Sequence, residues 1–470
     1  MASTARTVLV PAAVAVALLA GLTACGSDSG SGSGSGSGKD DGPAKKTARL
    51  AWRDAALPGL AAKPAWTAPA APGGTAVFAV GDAFALVSAP GAEKLSNDKG
   101  PALREGPKTV EFRDARDGAV RRTLRFGDAR VTADTWHGAP ALRVRVTSKT
   151  PSDGMTSDKS TTVEEVYDGR GGKLGSAPQA DGASFSDGWL AKDGTVARGE
   201  GGTANKLEKS GDLQGIHGPV RSQDLYRYAP EQRTFAGDHA FSYEEVERGM
   251  FNHPKHLVVT DLATGRKAWT TSEAGRPSQA LPEDKSHAVN VVPVTVVGDR
   301  IVLAWQTKGD EHTGTEPWVM SVNDVKSGRL LATGPVVEAE APGSRTDFGN
   351  PLTDPTFEVA YDAAAGAVVT SGQPGMGKPW LATAWDLKSG KRLWAQGPDE
   401  NDFSPLTAGN GVVYGYTNRG TQGYWDPIAV DVKTKKVLAK KLDNDRVPAF
   451  SADGHGAVSV DQGVFVFPAA

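Results

Sequence analysis

One short motif recurs along the chain and constrains its fold more than any other feature. Its fullest copy runs from Asp386 through Ser389 and Gly390 to Trp394. The Asp carboxylate can accept hydrogen bonds from the N–H groups just ahead of it, and glycine can adopt the positive φ that a short hairpin with a bulge requires. Each copy therefore predicts a turn between two antiparallel strands.

Related copies share the leading Asp and, in most cases, a glycine four residues later. They begin at Asp114, Asp168, Asp261, Asp324 and Asp431, and Gly265, Gly328 and Trp269 stand in places that match the fullest copy. Apart from a longer gap after Asp168, the copies lie about 45 to 65 residues apart, a spacing typical of four-stranded propeller blades stretched by loops. The sequence therefore predicts an all-β propeller of four-stranded antiparallel blades. A degenerate blade over residues 177–220 would make eight blades, and without it there would be seven.

The two ends of the chain predict how the propeller closes. Residues 49–52 repeat the outer-strand pattern in approximate form, while residues 457–460 and 464–467 look like two inner strands that lack a fourth. We therefore expect an N-terminal strand at residues 49–52 to join the last blade. Such a mixed blade ties both termini into one sheet and leaves no open pair of edges.

Residues 1–24 predict a bacterial lipoprotein signal peptide. Arg6 precedes an apolar run over residues 8–22, which is too short for a comfortable membrane span but suits a signal-peptide core. The run ends in Leu22, Thr23, Ala24 and Cys25, which resembles the lipobox, and the resemblance implies that Cys25 is lipidated after cleavage. The alternative is a signal peptide followed by a chance cysteine.

Residues 25–47 predict a tether, because Gly and Ser alternate over residues 26–38. Such a chain is flexible and spans on the order of 25 Å by random-coil scaling. Residues 48–470 then form the propeller, which must be stable without an internal disulfide since Cys25 is the one cysteine. We expect a monomer that is anchored by lipid to the extracytoplasmic face of a bacterial cell membrane.

The charge balance argues against some partners. The chain has 52 Lys and Arg against 55 Asp and Glu, a formal net charge of −3. So small a value argues for neither nucleic acid nor an anionic bilayer as the main partner. We therefore expect a protein or an envelope component as the partner.

Long connections precede the third strand of several predicted blades, at residues 306–317, 371–379 and 417–424 and, earlier, at residues 148–160. Alternate connections of an up-and-down blade share an end, so these loops should gather opposite the Asp turns. Trp318, Trp380 and Trp425, the last preceded by Tyr424, stand where three of the loops enter a strand. They indicate either packing beneath the loops or an exposed aromatic platform for a peptide or a sugar ring.

The repeated motif resembles the PQQ-like repeat of the quinoprotein-dehydrogenase-like propellers. With the lipobox it also resembles the propeller lipoproteins of that group, including the BamB type that scaffolds outer-membrane protein assembly. The resemblance implies that Trp52, Trp269 and Trp394 dock between blades, whereas the matching positions at Leu330 and Val437 lack the tryptophan. Enzymes of the superfamily hold pyrroloquinoline quinone, with calcium nearby, against adjacent cysteines joined as a disulfide, which a chain with one cysteine cannot make.

Two functions from different classes fit these observations. The first is a non-catalytic scaffold without a cofactor, and the second is an enzyme that resembles the quinone- and calcium-dependent dehydrogenases or acts on polysaccharides. We find no haem-attachment motif and no nucleophile elbow in the sequence. His253 and His256, like the acidic stretch at residues 399–402, fit ordinary loop residues better than metal ligands. The sequence therefore favours the scaffold.

Overall fold

The computed structural model describes residues 50–52, 54–89, 106–152, 154, 157–178, 184–192, 195–198, 205–206, 212–213, 235–245, 255–281, 291–307, 316–339, 357–372, 381–397, 399–418, 425–443 and 446–470. The regular elements among them are strands, which confirms the predicted all-β class. No helix in these ranges has the length and apolar character needed to cross a membrane. Cys25 and the residues predicted to form the signal peptide and the tether lie outside the described residues.

The strands of the first half of the chain are β1 (Trp66–Pro69), β2 (Thr75–Val80), β3 (Ala83–Ser88), β4 (Lys108–Asp114), β5 (Val120–Phe126), β6 (Asp128–Trp136), β7 (Ala139–Thr150), β8 (Lys159–Tyr167), β9 (Lys173–Pro178), β10 (Ser184–Ser186), β11 (Trp189–Lys192), β12 (Thr195–Arg198), β13 (Asn205–Lys206), β14 (Asp212–Leu213), β15 (Phe235–Ala236) and β16 (His239–Glu245). Those of the second half are β17 (Lys255–Asp261), β18 (Arg266–Thr270), β19 (Val291–Val297), β20 (Arg300–Gln306), β21 (Glu316–Asp324), β22 (Leu330–Ala339), β23 (Phe357–Asp362), β24 (Ala367–Gly372), β25 (Leu381–Asp386), β26 (Arg392–Ala395), β27 (Ser404–Gly409), β28 (Val412–Asn418), β29 (Trp425–Asp431), β30 (Val437–Ala439), β31 (Ala449–Phe450), β32 (Gly456–Val460) and β33 (Gly463–Phe467).

The described strands form eight antiparallel sheets, seven of four strands and one of five. We number these blades along the chain: blade 1 is β2–β5, blade 2 is β6–β9, blade 3 is β10–β13, blade 4 is β14–β18, blade 5 is β19–β22, blade 6 is β23–β26, blade 7 is β27–β30, and blade 8 is β31–β33 with β1. Blade 3 lies within residues 177–220, where the sequence predicts a degenerate blade. The four-stranded antiparallel propeller architecture is therefore confirmed.

Each blade has two distinct ends. The first and third turns of a blade lie at one end, because the N–H of Val325, in the third turn of blade 5, donates to the carbonyl of Asp299 in its first turn at 3.0 Å. The same bond joins Leu262 to Asp238 in blade 4 at 2.9 Å. We name this the turn end, and we name the opposite end, where second and third strands connect, the loop end.

Blade 8 is completed by the N-terminal strand β1, which pairs antiparallel with β33. The prediction that residues 49–52 supply this strand is wrong. The chain first packs on blade 8 as an N-terminal strap, residues 50–52 and 54–60, and only then reverses to pair as β1. Trp52 lies in the strap and packs edge-on against Phe465 and Phe467, with ring centroids 5.2 and 5.1 Å away, so it is not an outer-strand tryptophan docked on the turn of the next blade.

The strap runs from the loop end to the turn end. Leu50 lies against Gly463, which begins β33 at the loop end. At the turn end, Asn410 donates its side-chain N–H to the carbonyl of Gly59 at 3.0 Å, and the Tyr414 hydroxyl donates to the carbonyl of Pro58 at 2.6 Å. The strap therefore joins blades 7 and 8.

Tryptophans of three outer strands dock on the third turn of the next blade, each through its indole N–H. The bonds join Trp66 to the carbonyl of Ala115 at 2.9 Å, Trp269 to that of Val325 at 2.8 Å and Trp394 to that of Val432 at 2.9 Å. All three rings are buried. The docking role that the resemblance assigns to Trp52 thus belongs to Trp66.

The register corrects two further positions. Ala332 faces Val322 as Trp394 faces Ala384, so Ala332 and not Leu330 stands at the tryptophan position of blade 5. Leu331 fills the space there, because its Cβ lies 3.0 Å from where a Cβ on Gly390 would sit. In blade 7 the equivalent residue is Ala439 rather than Val437.

The motif requires glycine at its fifth position for two physical reasons. At Gly118 φ is 73°, and an added Cβ would lie 2.6 Å from Cδ2 of Trp66; at Gly328 φ is 69°, and the distance to Cδ2 of Trp269 would be 2.9 Å. The turn therefore needs both a left-handed backbone and room for the docked ring. In blade 7, Lys435 takes the same conformation with φ 63°.

Candidate functional site

The predicted aromatic set at the loop end comprises Trp318, Trp380, Tyr424 and Trp425. Trp318 is 1% exposed and lies in β21, between blades 5 and 6. Its neighbours in that core include Met320 and Trp385. Packing beneath the loops, the first of the two interpretations of the sequence, therefore describes Trp318, and its ring is not part of an exposed platform.

The other three members of the set are only partly located. Trp425 begins β29, opposite Asn418, and its side chain lies outside the described part of the structure, as do Trp380 and Tyr424. The indole N–H of Trp318 is buried without a hydrogen-bond partner. Burial of an unpaired N–H costs about 1–3 kcal/mol, so the apolar packing of this ring must outweigh that cost.

At the loop end of blade 2, a segment that the sequence predicts to be a loop is partly formed by paired strands. Strands β7 and β8 pair with each other as far as Thr150 and Lys159. Strand β6, however, pairs with β7 only as far as Thr147 of β7, and β9 pairs with β8 only as far as Val163 of β8. Residues 148–150 and 159–161 therefore extend beyond the blade as a two-stranded ribbon, by about 10 Å at 3.4 Å per residue. The predicted connection at residues 148–160 is shorter than expected because both strands continue into it.

The ribbon (residues 148–150 and 159–161) is polar and open to solvent. Ser148, Lys149, Thr150, Lys159 and Ser160 are exposed. Just beyond it, the carboxylate of Asp158 accepts a hydrogen bond from the N–H of Ser152 at 2.7 Å. On both sides of the ribbon the outer backbone edge is unpaired among the described strands. A signal for it exists in the sequence: Thr, which is enriched in strands, stands at positions 147, 150, 161 and 162.

The turn end is held by carboxylates that bind backbone and side-chain donors. Both guanidinium nitrogens of Arg121 reach Asp82, at 2.7 and 2.9 Å, and one also reaches Asp114 at 2.6 Å. These hydrogen bonds from Arg121 lower the pKa of Asp82 and of Asp114. The first and third turns of blade 1 are thereby tied together.

The motif aspartates cap their own turns in the predicted way. Oδ1 of Asp324 accepts from the N–H and the hydroxyl of Ser327 at 2.9 and 2.8 Å, and Oδ1 of Asp431 accepts the equivalent pair from Thr434, both at 2.8 Å. Burial opposes ionisation of Asp324, but the bonds from Ser327 outweigh it and lower the pKa. The motif residues therefore serve the scaffold.

Asp187 joins three blades at the turn end. Its carboxylate accepts hydrogen bonds from the N–H of Gly138 in blade 2, at 2.7 Å, and from the N–H of Gly237 in blade 4, at 2.5 Å. Asp187 itself belongs to the first turn of blade 3, with φ 46°. Burial raises its pKa, against the opposing effect of the two backbone donors. This bridge holds the degenerate blade between its neighbours.

A buried ionic group lies between blades 2 and 3. Arg143 donates to Asp134 at 2.6 Å and to the carbonyl of Phe185 at 2.6 Å. Glu164 is 1% exposed and accepts from Arg145 at 3.1 Å, while its second oxygen has no hydrogen-bond partner. Because Arg143 contacts blade 3 directly, the group fixes the position of that blade.

Two of the described histidines, His239 and His455, have surroundings that belong to the fold. His239 is buried, and burial lowers its pKa, while Nδ1 of His455 lies 3.1 Å from the carboxylate of Asp453. His256 lies in β17, opposite Glu244; its side chain and His253 lie outside the described residues. In the acidic stretch at residues 399–402, Glu400 pairs with Lys435 at 2.6 Å.

The residues do not fit pyrroloquinoline quinone as the superfamily enzymes hold it, because the single cysteine cannot form the adjacent disulfide. In the ranges that the structure describes, no group of three or more His, Cys, Asp or Glu side chains could hold a metal ion.

No protein-family model matches the sequence and no curated protein matches it significantly, whereas solved structures do match. BamB from Moraxella catarrhalis is 12% identical, with 83% of this chain and 93% of that chain covered and a TM-score of 0.35. For the β-propeller domain of the Trilobed protease from Pyrococcus furiosus the values are 9%, 84%, 95% and 0.35. For quinohemoprotein alcohol dehydrogenase from Comamonas testosteroni they are 14%, 69%, 72% and 0.26. Both kinds of protein that the repeat motif resembles are thus among the matches.

Proposed function

We propose that this chain is a lipid-anchored propeller on the extracytoplasmic face of a bacterial membrane, where it binds another protein or an envelope component without catalysis. The lipobox at Cys25 and the Gly and Ser tether support the anchor. The motif residues cap turns and dock blades together, so the fold accounts for them. The binding surface is the loop end.

The observation that carries the proposal is the exposed ribbon. A two-stranded ribbon with unpaired outer edges offers N–H and C=O groups to an extended segment of a partner, which gives affinity through the main chain and specificity through alternate side chains. Lys149 and Lys159 lie on it and would favour an acidic segment. A protein partner fits these groups better than a sugar does. Trp380, Tyr424 and Trp425 stay predictions as neighbouring contacts at this end.

Site-specific photo-crosslinking tests the proposal. A photoreactive amino acid replaces Lys149 or Ser160 in the ribbon, and matched positions at the turn end are Lys326 and Lys388, which are also exposed. We expect the ribbon positions to give a discrete crosslinked partner in the cell's own membranes, identified by mass spectrometry. Crosslinks from the turn-end positions alone would contradict the proposal.

The enzymatic alternative has its own readout. Pyrroloquinoline quinone added with calcium should leave the absorbance spectrum and the melting temperature of the purified protein unchanged. A change that requires both additions would favour a dehydrogenase-like function over the scaffold.

A further inference from the structure

Strand β30, the outer strand of blade 7, exposes two large apolar side chains that are adjacent in the chain, whereas β5 and β22 each expose one, Val120 and Val336. It has three residues, two of which are large and exposed: Val437 at 41% and Leu438 at 40%. Leu438 is the extra residue of a register shift, because Val430 faces Val437 while the next partner, Ala429, faces Ala439. Both apolar side chains therefore reach solvent instead of the blade interface.

The reason lies in how blade 8 is built. Outer-strand side chains of blades 4, 5, 6 and 8 lie against the third turn of the following blade, as Trp394 does on the turn at Asp431. Blade 8 takes its third strand, β33, from the C-terminus and its fourth, β1, from the N-terminus. No turn joins these two strands, so β30 has no third turn on which to dock.

Three lysines surround the exposed pair. Lys436 precedes it, and Lys440 and Lys441 follow it; all three are exposed, and no ion pair is found for them among the described residues. The acids nearby are occupied, since Glu400 pairs with Lys435 and Asp443 pairs with Arg446 at 2.5 Å. We name Lys436, Val437, Leu438, Lys440 and Lys441 the β30 patch.

The β30 patch adjoins the strap, which is the first described segment after the predicted tether. Leu442 packs in the same core as Trp52 and Leu57. Four residues later, Arg446 donates to Asp54 at 3.1 Å and lies 6.0 Å from the ring centroid of Trp52. The patch is therefore continuous with the part of the chain that leads toward the lipid.

From this continuity and charge we infer that the β30 patch binds the anionic phospholipid surface of the membrane that carries the anchor. Cations near such a surface attract it, exposed apolar side chains enter the headgroup boundary, and a single acyl signal is strengthened by a basic patch. Lysines on an edge strand also prevent pairing with other chains, but that role does not require exposed Val437 and Leu438. The chain's small net charge does not conflict with a local patch. The inference rests on the proposed lipid anchor.

The test uses the mature chain, residues 25–470, with Cys25→Ser, so that no acyl chain contributes. Sedimentation measures its binding to vesicles of phosphatidylglycerol mixed with phosphatidylcholine, and to phosphatidylcholine alone. We expect binding to the anionic vesicles, and a loss of at least about tenfold in the Lys436→Gln, Lys440→Gln, Lys441→Gln variant, since each lysine near the surface is worth roughly fivefold. A second variant, Val437→Ser with Leu438→Ser, should also bind more weakly.

The control variant carries Lys326→Gln, Lys388→Gln and Lys391→Gln at the turn ends of blades 5 and 6, and it should bind as the parent does. Equal binding of the two triple variants, or no preference of the parent for anionic vesicles, would overturn the inference. Binding of the parent to polyglutamate but not to vesicles would also overturn it and indicate an acidic peptide as the ligand. Membrane retention of the lipidated chain is unaffected by these outcomes, so failure of the patch is distinct from failure of the anchor.

Discussion

Replacement of Trp394 by alanine tests how much each docked ring stabilises the propeller. The ring is 9% exposed and bonds to the carbonyl of Val432 at 2.9 Å. An aromatic side chain buries about 150–250 Å², which at roughly 25 cal/mol per Å² corresponds to about 4–6 kcal/mol. Residual burial in the unfolded chain lowers this figure, so we expect a loss of about 3–5 kcal/mol in the free energy of unfolding.

Equilibrium denaturation followed by far-ultraviolet circular dichroism measures the loss. Trp394→Phe keeps most of the apolar area but removes the N–H donor, and should cost about 1–2 kcal/mol. Val437→Ala, at the exposed edge of the next blade, is the matched control and should change stability by less than about 0.5 kcal/mol. A loss below about 1 kcal/mol for Trp394→Ala, far under the core range, would refute the docking role.

Three further predictions concern the turn end. Gly118→Ala should cost at least about 1 kcal/mol more than Gly81→Ala, because both backbones are left-handed but only at Gly118 would a Cβ meet a ring; equal losses in thermal melts would contradict this. Asp187→Asn should lower the free energy of unfolding by about 1–3 kcal/mol, since an amide cannot accept hydrogen bonds from Gly138 and Gly237 with both of its polar atoms. An unchanged denaturation curve would show that the Asp187 bridge does not contribute to stability. Acid should destabilise the protein as pH falls from about 4 through the lowered pKa values of Asp82 and Asp114; Arg121→Gln should shrink that loss, and an unchanged pH profile of the melting temperature would exclude the role of Arg121.

The repeat predicted the architecture because its residues interact within their own turn. Asp324 caps its own turn and Gly328 adopts the conformation that the hairpin requires, so the turn can be predicted from these residues without knowledge of distant contacts. The closing strand was misassigned because Trp52 and Trp66 both precede the first blade. Only the pairing of Trp66 with Val466 distinguishes them, and that pairing spans nearly the whole chain.

The site was harder to predict from sequence, because exposure depends on neighbours that local pattern does not reveal. Trp318 follows a long loop, yet blade 6 covers its ring. The exposure of Leu438 follows from the absence of a turn in blade 8, which is a property of topology rather than of the sequence around β30. The bridge at Asp187 likewise joins residues about fifty positions apart on either side.

Fractionation of cells that express the Cys25→Ser variant tests the central claim most directly. The wild-type chain should be recovered in the membrane fraction with an N-terminal lipid on Cys25, detectable by mass spectrometry. The variant should stay folded and move to the soluble or secreted fraction, since Cys25 carries the proposed anchor. Quantitative membrane retention of the folded variant in high salt, which removes weak electrostatic binding, would contradict the account.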